Sequence, residues 1–243
     1  MKSQASEGEL RQERHSARAA GAWYLGLAIT GIGLLLIRPA VYDRDDAAAT
    51  LENLTTDEGI ARLGLGVELA IVVTQALAAV WFYKLFRPIN PVAAWATGVF
   101  GMVNATAILA SSAFVATALE VAGDAGLAPG DDAAATTQLL FRLSESFWGV
   151  GALFFGLWLI PMGWVAATSG RFPKALGWIL VAGGVSYVGS AFVNYALDAP
   201  AWLVDALAIP ATVGEVWMIG YLLVVGIRSA AGGLSRTDAQ AAA

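Results

Sequence analysis

Long apolar stretches alternate with short polar segments along the chain, and six of the stretches are long enough to cross a membrane. A span needs about 20 apolar residues, because a helix rises about 1.5 Å per residue and the hydrocarbon core is about 30 Å thick. The six stretches are 19–37, 63–83, 92–119, 137–170, 175–197 and 206–227. This pattern predicts an all-α fold, an integral membrane bundle of six helices.

The first stretch follows a basic tail, which is also typical of a signal peptide. Its 19 uncharged residues exceed the roughly 7–15 of a signal h-region, so we expect a retained span. We divide the chain into a polar tail at 1–17, one six-span domain at 18–228, and a second polar tail at 229–243 that we expect to be disordered. With six spans, both tails lie on the same side of the membrane.

The basic residues predict which side that is. Ten Lys and Arg fall in the tails and in the loops on the same side, against four on the other side. By the positive-inside rule, both termini are cytoplasmic. The loops on the other side are acidic, above all 43–58, and we interpret those charges as a solvated surface.

Proline and short turns organise the spans further. The segments 86–91 and 169–174 are short and contain proline, which predicts hairpins between spans two and three and between spans four and five. Pro161 lies inside the fourth span and predicts a kink, because proline removes a helical hydrogen bond. Pro210 falls near the start of the sixth predicted span, where the missing N–H costs little.

Composition excludes several kinds of chemistry. Only 14% of the residues are charged, against about 25% in soluble domains. There is no cysteine, so disulfides, iron–sulfur clusters and zinc–thiolate sites are excluded. The single histidine, His15, is in the polar tail, so a bis-histidine haem is excluded, and no lysine lies in an apolar run for a Schiff base. We expect no cofactor and no metal, and the net charge of −5 gives no reason to expect nucleic-acid binding.

Several motifs of glycine, proline and aromatic residues occur along the chain. They are FFGLWLIPMG at 154–163, SGRFPKALG at 169–177, GVSY at 184–187, Pro210 followed by Gly214-Glu215, YLLVVG at 221–226, and the opening RAAG at 18–21 with Tyr24-Leu25. Together these motifs resemble a bacterial membrane family known as domain of unknown function 4386. The resemblance runs from about 18 to 228. It implies six spans and a bacterial inner membrane, and it brings no activity with it.

Three carboxylates inside the predicted spans are the main candidates for function. Glu68, Glu145 and Glu215 each lie about six to nine residues after the outer start of spans two, four and six. At about 1.5 Å per residue they would share one layer in the outer half of the membrane. Charged groups in spans are costly and usually face a bundle interior, so this layer is a candidate site.

Other polar side chains could complete an outward-facing pocket. Arg142 lies three residues before Glu145 on one helix face and can pair with it, while Asn104, Tyr187 and Asn194 lie on neighbouring spans. The same groups could equally be satisfied pairs that bridge helices, with Arg142 neutralising one glutamate and Arg62 or a hydroxyl serving another. The glycines are interpreted first as helix-packing positions, through which the chain could also form a homo-oligomer.

These observations leave three functional hypotheses open. The first is a multi-pass membrane protein that binds or translocates a small solute or a proton at the carboxylate layer, with the lipid bilayer as its surroundings. The second is a structural or regulatory module that acts through a protein partner. The third, an intramembrane enzyme, would need an acid–base pair such as Glu68 with Glu215, and no nucleophile or metal set in the sequence supports it.

Overall fold

The computed structural model describes residues 2–197 and 199–228, and this part of the chain is helical without a β-strand. Its seven α-helices are α1 (Lys2–Val41), α2 (Ala47–Thr56), α3 (Glu58–Phe86), α4 (Pro91–Gly123), α5 (Ala133–Thr168), α6 (Lys174–Ala196) and α7 (Ala201–Val224). Two short 3-10 turns, Ala125–Leu127 and Pro129–Asp131, precede α5. Six of the helices, all except α2, are long and apolar enough to cross a membrane. The six predicted spans are therefore confirmed, while the side on which the termini lie stays a prediction.

The short helix α2 was not predicted. It lies in the acidic segment after the first span, where Asp46 caps its N-terminus by accepting the N–H of Ala49 at 2.9 Å. Thr50 and Leu54 are buried on its inner face. The acidic side chains near its start are exposed, so the segment combines a charged surface with a packed helix.

Some boundaries differ from the apolar stretches. α1 already begins at Lys2, so the predicted tail is helical over its described residues. Pro210 is not near the start of the last span, because α7 begins at Ala201 and includes Asp205. Pro210 thus lies inside the helix, where its missing N–H leaves an i−4 carbonyl without its usual donor. α5 continues through Pro161, and the predicted tail 229–243 lies outside the described residues.

Both predicted hairpins are confirmed. α3 ends at Phe86 and α4 begins at Pro91, with the Asn90 side chain accepting the N–H of Ala93 at 3.0 Å as an N-cap. The second hairpin joins α5 to α6 through a turn in which Gly170 adopts φ +70°, a conformation that favours glycine.

The chain divides into two compact units. The first, called here the terminal unit, consists of Met1–Leu25, Leu77–Gly101 and Leu153–Ala243. The second consists of Gly26–Ala76 and Met102–Ala152, and is called the loop unit because it contains α2 and both 3-10 turns. Each unit has its own buried core.

Glycine contacts and aromatic rings form the core of the terminal unit. A Cβ built on Gly183 of α6 would lie 2.6 Å from the backbone of Ala211 on α7, and Gly184 and Gly156 make an equally close contact between α6 and α5. The interpretation of glycines as packing positions within the chain is therefore confirmed for Gly183 and Gly184, and it also holds for Gly33, Gly98 and Gly101. It is wrong for Gly31 and Gly189, where a Cβ would meet no atom of another described helix within 4 Å. The rings of Phe82 and Trp158 lie 5.7 Å apart and are fully buried.

A buried arginine joins three parts of the terminal unit. Arg171, in the turn between α5 and α6, is 8% exposed and pairs through both terminal nitrogens with the Glu13 carboxylate on α1. Its Nε donates to the carbonyl of Arg228 at 3.0 Å, and the Tyr221 hydroxyl donates to the Arg171 carbonyl at 3.2 Å. The turn is thereby bonded to the first helix and to the end of the last one.

The loop unit packs around a stacked ring pair. Tyr42, just after α1, stacks on Phe141 of α5 with ring centroids 4.9 Å apart, and Leu54 of α2 belongs to the same core. The Thr50 hydroxyl bonds the Gln138 side chain of α5 at 3.0 Å. The segment after the first span is thus fixed onto the start of α5.

Candidate functional site

Glu68 is buried in the middle of the loop unit. Its side chain projects from α3, and the residue is 1% exposed. Its Oε1 accepts the Ser111 hydroxyl of α4 at 2.7 Å and the Trp148 indole N–H of α5 at 2.6 Å. Three helices therefore contribute to the binding of one carboxylate.

The hydrogen bonds continue from Ser111 to a cation. Ser111 Oγ lies 2.7 Å from Ser144 Oγ, and Arg38 of α1 donates to Ser144 Oγ at 3.0 Å. A guanidinium can only donate, so with Ser111 donating to Glu68 the Ser144 hydroxyl must donate to Ser111. All bonds of this Glu68 network, formed by Arg38, Ser144, Ser111, Glu68 and Trp148, therefore point towards the carboxylate.

The Glu68 network thus connects opposite charges through two hydroxyl groups. Such a charge-assisted series of bonds suits an ionised carboxylate and is stronger than bonds between neutral groups. A guanidinium keeps its proton, so its end of the network cannot deliver one. The guanidinium and the carboxylate are therefore linked through the two serine hydroxyls, and the Arg38 end of the network does not supply a proton to Glu68.

Glu145 lies beside a second group of charges in the loop unit. Arg44 donates to its carboxylate at 2.7 Å, the Tyr42 hydroxyl donates at 3.4 Å, and Arg142 lies 4.0 Å away. The predicted contact between Arg142 and Glu145 exists, but Arg44 is much closer. The stronger bond of Arg142 is to the Arg44 carbonyl, at 2.5 Å.

The surroundings of Glu145 shift two pKa values. Burial, followed by the charge of Glu145, raises the pKa of the Tyr42 hydroxyl. The hydrogen bond and charge of Glu145 raise the pKa of Arg44. Glu145 retains 26% side-chain exposure, so this group of charges is at the surface of the loop unit.

A small cavity of about 20 Å³ lies next to the Glu68 network. Arg38 and Glu68 are among its lining residues, together with apolar side chains such as Phe141 and Val115. Sites for small organic molecules usually enclose about 300–1,000 Å³. This cavity is far too small for an organic solute.

Glu215 belongs to the terminal unit and has different surroundings. It is half-buried on α7, and the Tyr24 hydroxyl of α1 donates to its Oε1 at 2.5 Å. The prediction that Glu215 lies within hydrogen-bonding reach of a polar group on another span is therefore confirmed. Among the ion pairs of the described residues, none includes Glu215.

The tyrosine that bonds Glu215 belongs to a cluster of aromatic rings. The Tyr24 ring meets Phe82 and Trp158 edge-on at 5.4 Å each. Tyr187 of α6 interacts electrostatically with Glu215, and its ring lies 5.3 Å from Phe155. The Trp158 indole N–H is buried and finds no hydrogen-bond acceptor within the described part of the chain, so this cluster retains one unused donor.

The remaining predicted residues do not join either group. Asn104 is buried on α4, with its side-chain oxygen 3.8 Å from where a Cβ of Gly151 on α5 would lie, and its role as a bridge between helices stays a prediction. Asn194 is exposed on α6. Arg62 pairs with the Glu58 carboxylate at 2.6 Å and not with Glu68. Glu68 accepts from the Ser111 hydroxyl and the Trp148 indole N–H instead. The shared layer of all three carboxylates stays a prediction.

Sequence reasoning missed Trp148, Ser144, Arg38 and Tyr24 as site residues. Trp148 and Trp158 lie away from the predicted span ends, unlike most of the tryptophans, and that position was an available signal. Arg38 was treated only as a span boundary. Ser144 and Tyr24 carried no separate signal, because single hydroxyls are common in spans.

No group of three or more His, Asp or Glu side chains that could hold a metal occurs within residues 2–197 and 199–228. The six helices that are long and apolar enough to cross a membrane are those of a multi-pass helical membrane protein. The chain belongs to the family described as Domain of unknown function (DUF4386), whose model matches residues 19–226. No curated protein and no solved structure matches the chain in the corresponding comparisons.

Proposed function

We propose that this membrane protein binds a proton or a small cationic solute at Glu215, and that this carboxylate is the group through which the proton or solute is taken up. The observation that carries the proposal is the Glu215–Tyr24 hydrogen bond, in which a carboxylate on a spanning helix is bonded by a neutral hydroxyl. A charged group in this position is costly and marks a functional site by default.

The charge of Glu215 requires compensation that Tyr24 does not supply. A tyrosine hydroxyl donates one hydrogen bond and carries no positive charge. Moving an isolated carboxylate away from water costs far more than moving its neutral form, so a proton or a cation is needed. The described ion pairs leave Glu215 available for either one.

The Glu68 network does not suit this role. Glu68 already has two donors on one oxygen and the positive charge of Arg38 at the far end of its hydrogen bonds. The adjoining cavity of about 20 Å³ excludes an organic solute. We assign Glu68 to holding α1, α3, α4 and α5 together within the loop unit.

Aromatic side chains near Glu215 favour a cation over an anion. Tyr187 is half-buried like Glu215, and Phe155 packs beside it. The face of an aromatic ring attracts cations through its quadrupole, and quaternary ammonium ligands bind in cages of aromatic rings. A protonated amine is the class of solute that fits this combination of rings and a carboxylate best.

Infrared difference spectroscopy tests the proposal directly. The purified protein is placed in lipid nanodiscs, and spectra are recorded across a pH titration and after addition of small amines. We expect the carbonyl band of a protonated carboxyl group that disappears in Glu215→Gln and decreases when an amine binds. Glu145→Gln is the matched control, because Glu145 has Arg44 as a close partner.

Proteoliposomes with an internal pH dye then distinguish binding from translocation. Proton flux that is lost in Glu215→Gln and kept in Glu145→Gln supports translocation, and no flux with an intact infrared signal supports binding alone. Identical infrared spectra of the wild type and Glu215→Gln contradict both. In that case the hypothesis of a module that acts through a protein partner is favoured.

A further inference from the structure

We propose that the terminal unit binds the phosphate of an anionic lipid headgroup at a basic surface formed by α1 and the end of α3. This surface consists of Arg11, His15 and Arg18 on α1 and of Trp81 and Lys84 on α3, and it is called the basic face below. None of these five residues belongs to the Glu215 site.

The three α1 residues share one side of the helix. Arg11, His15 and Arg18 follow one another at intervals of four and three residues, which places them along one face. All three are exposed. The opposite face carries Ala17 and Ala20, which are completely buried.

Trp81 joins that helix face to α3. The His15 ring meets the Trp81 ring edge-on at 6.1 Å, and the Lys84 Nζ lies 4.5 Å from the centre of the same ring. The contact between Lys84 and Trp81 is a cation–π interaction, which restrains the flexible lysine. Donors from two helices are thus gathered around one indole.

The nearby acidic residue does not neutralise the basic face. Glu13 lies on the buried side of α1 and is held by both terminal nitrogens of Arg171. None of the described ion pairs includes Arg11, Arg18 or Lys84. Within the described side chains, the charges of Arg18 and Lys84 are therefore available to an external anion.

A lipid headgroup fits this arrangement better than a dissolved anion. Tryptophan concentrates where hydrocarbon meets water, and Lys84 lies in the last turn of a spanning helix, so the charges are at headgroup height. Guanidinium groups bind phosphate oxygens with two parallel hydrogen bonds. Clusters of basic residues next to a span recognise anionic lipids, which the expected cytoplasmic position of this helix end would supply.

Native mass spectrometry of the purified full chain measures the retained lipid. Short-chain phosphatidylglycerol is compared with phosphatidylcholine of the same chain length, and inorganic phosphate is added as a competitor. We expect phosphatidylglycerol to be retained preferentially and phosphate not to displace it. Removal of one cation should weaken its binding about fivefold, so Arg18→Gln with Lys84→Gln should weaken it about 25-fold.

Matched variants separate a site from a general effect of charge. Lys174→Gln removes one exposed positive charge from the same unit, outside the basic face, and should leave lipid retention unchanged. Arg18→Lys with Lys84→Arg keeps both charges and should restore most of the binding, which shows that the Gln variants lose contacts and not the fold.

Three results would overturn the proposal. Equal retention of both lipids would mean that the basic residues serve only to orient the protein in the membrane. An equal loss in Lys174→Gln would show a general charge effect, and displacement by inorganic phosphate would show a site for a dissolved anion.

Discussion

Glu68 and Glu215 are both carboxylates on spanning helices, yet their hydrogen-bond partners and neighbouring charges differ between the two units of the molecule. In the loop unit, Glu68 is 1% exposed and receives an indole N–H, a hydroxyl and, through two serines, the charge of Arg38. In the terminal unit, Glu215 is half-buried and receives the Tyr24 hydroxyl. The first carboxylate is linked through two serines to the charge of Arg38, while the second has a donor but no ion-pair partner among the described residues.

This difference shows that a charge inside a span does not by itself indicate function. A buried carboxylate that accepts hydrogen bonds from neighbouring helices serves to fix those helices in register, although such polar contacts add little net stability. A carboxylate without a counter-ion costs energy and persists only if something external neutralises it. The hydrogen-bond partners of each glutamate, more than its depth, therefore separate a structural role from a binding role.

The largest effect should come from removing the anion of the Glu68 network. Glu68→Leu leaves the Trp148 indole N–H and the Ser111 hydroxyl without their acceptor. Each buried donor left unsatisfied typically costs about 1–3 kcal/mol, so this variant should cost more than the loss of either bond alone. The free energy of unfolding is measured by titration with a denaturing detergent in mixed micelles. Glu215→Leu should cost less, and the reverse order would remove the proposed distinction.

Ser111→Ala tests whether the Glu68 network acts as a connected series. The variant removes the hydroxyl that links Ser144 to Glu68 and should lower the free energy of unfolding by about 1–3 kcal/mol. Ser112 is an ideal control because it is equally buried but bonds the carbonyl of Ile108 on its own helix at 3.0 Å. Equal losses in the two serine variants would show that burial alone, and not the network, determines the effect.

Tyr24→Phe tests the other side of the comparison. It removes the described donor to Glu215 and should cost about 0.5–1.5 kcal/mol, as for a single hydrogen bond. It should also shift the infrared carbonyl band assigned to Glu215, because the band depends on that bond. Tyr187→Phe should move the band less. A band that is unchanged in Tyr24→Phe would mean that it belongs to another carboxyl group.

The exposed charges at Glu145 should matter least for stability. Arg44→Gln removes the ion pair at 2.7 Å and should cost about 0.2–1 kcal/mol, while Arg142→Gln removes a contact at 4.0 Å and should cost less. High salt should reduce the effect of Arg44→Gln. A larger effect for Arg142 would mean that its bond to the Arg44 carbonyl outweighs both ion pairs.

Tyr42 offers a pH test outside the spans. Its raised pKa means that the folded protein keeps the proton at a pH where the unfolded chain loses it. This contribution to stability is therefore present below the ordinary tyrosine pKa and is lost as pH rises through the folded value. The titration of Tyr42 is followed by ultraviolet absorbance, as the difference between the protein and its Tyr42→Phe variant. In Glu145→Gln the midpoint of this titration should be lower, because the charge of Glu145 raises the pKa of Tyr42. An unchanged midpoint would mean that burial alone raises this pKa.

The six spans could be predicted because membranes impose one simple requirement. Every backbone polar group must be bonded internally, so length and apolar character suffice to locate the helices. α2 was not predicted because its ten residues are stabilised by the Asp46 cap and by the packing of Thr50 and Leu54. The acidic residues of this segment led us to interpret it as a solvated loop. The prediction that Pro210 lies near the start of the last span was wrong, because we took Asp205 as part of the preceding loop, whereas it lies inside α7.

The carboxylates could also be found from the sequence, but their partners could not. Glu215 was expected to reach a polar group on another span, and any of several residues could have supplied it. Tyr24 does so because the packing of α1 against α7 brings together residues 191 positions apart. Such a pairing depends on tertiary packing, which the spacing of residues along one helix does not contain.

The bonds of Arg171 have a consequence for the order in which the protein can assemble. Its partners are Glu13, near the start of the chain, and Arg228, beyond the last helix. A chain emerging from the ribosome contains Glu13 long before Arg228 exists, and contacts between distant residues form only after the intervening segments are in place. The terminal unit therefore completes these bonds only after all six spans have been synthesised, and a chain that ended early would leave the Nε of Arg171 without its acceptor at Arg228.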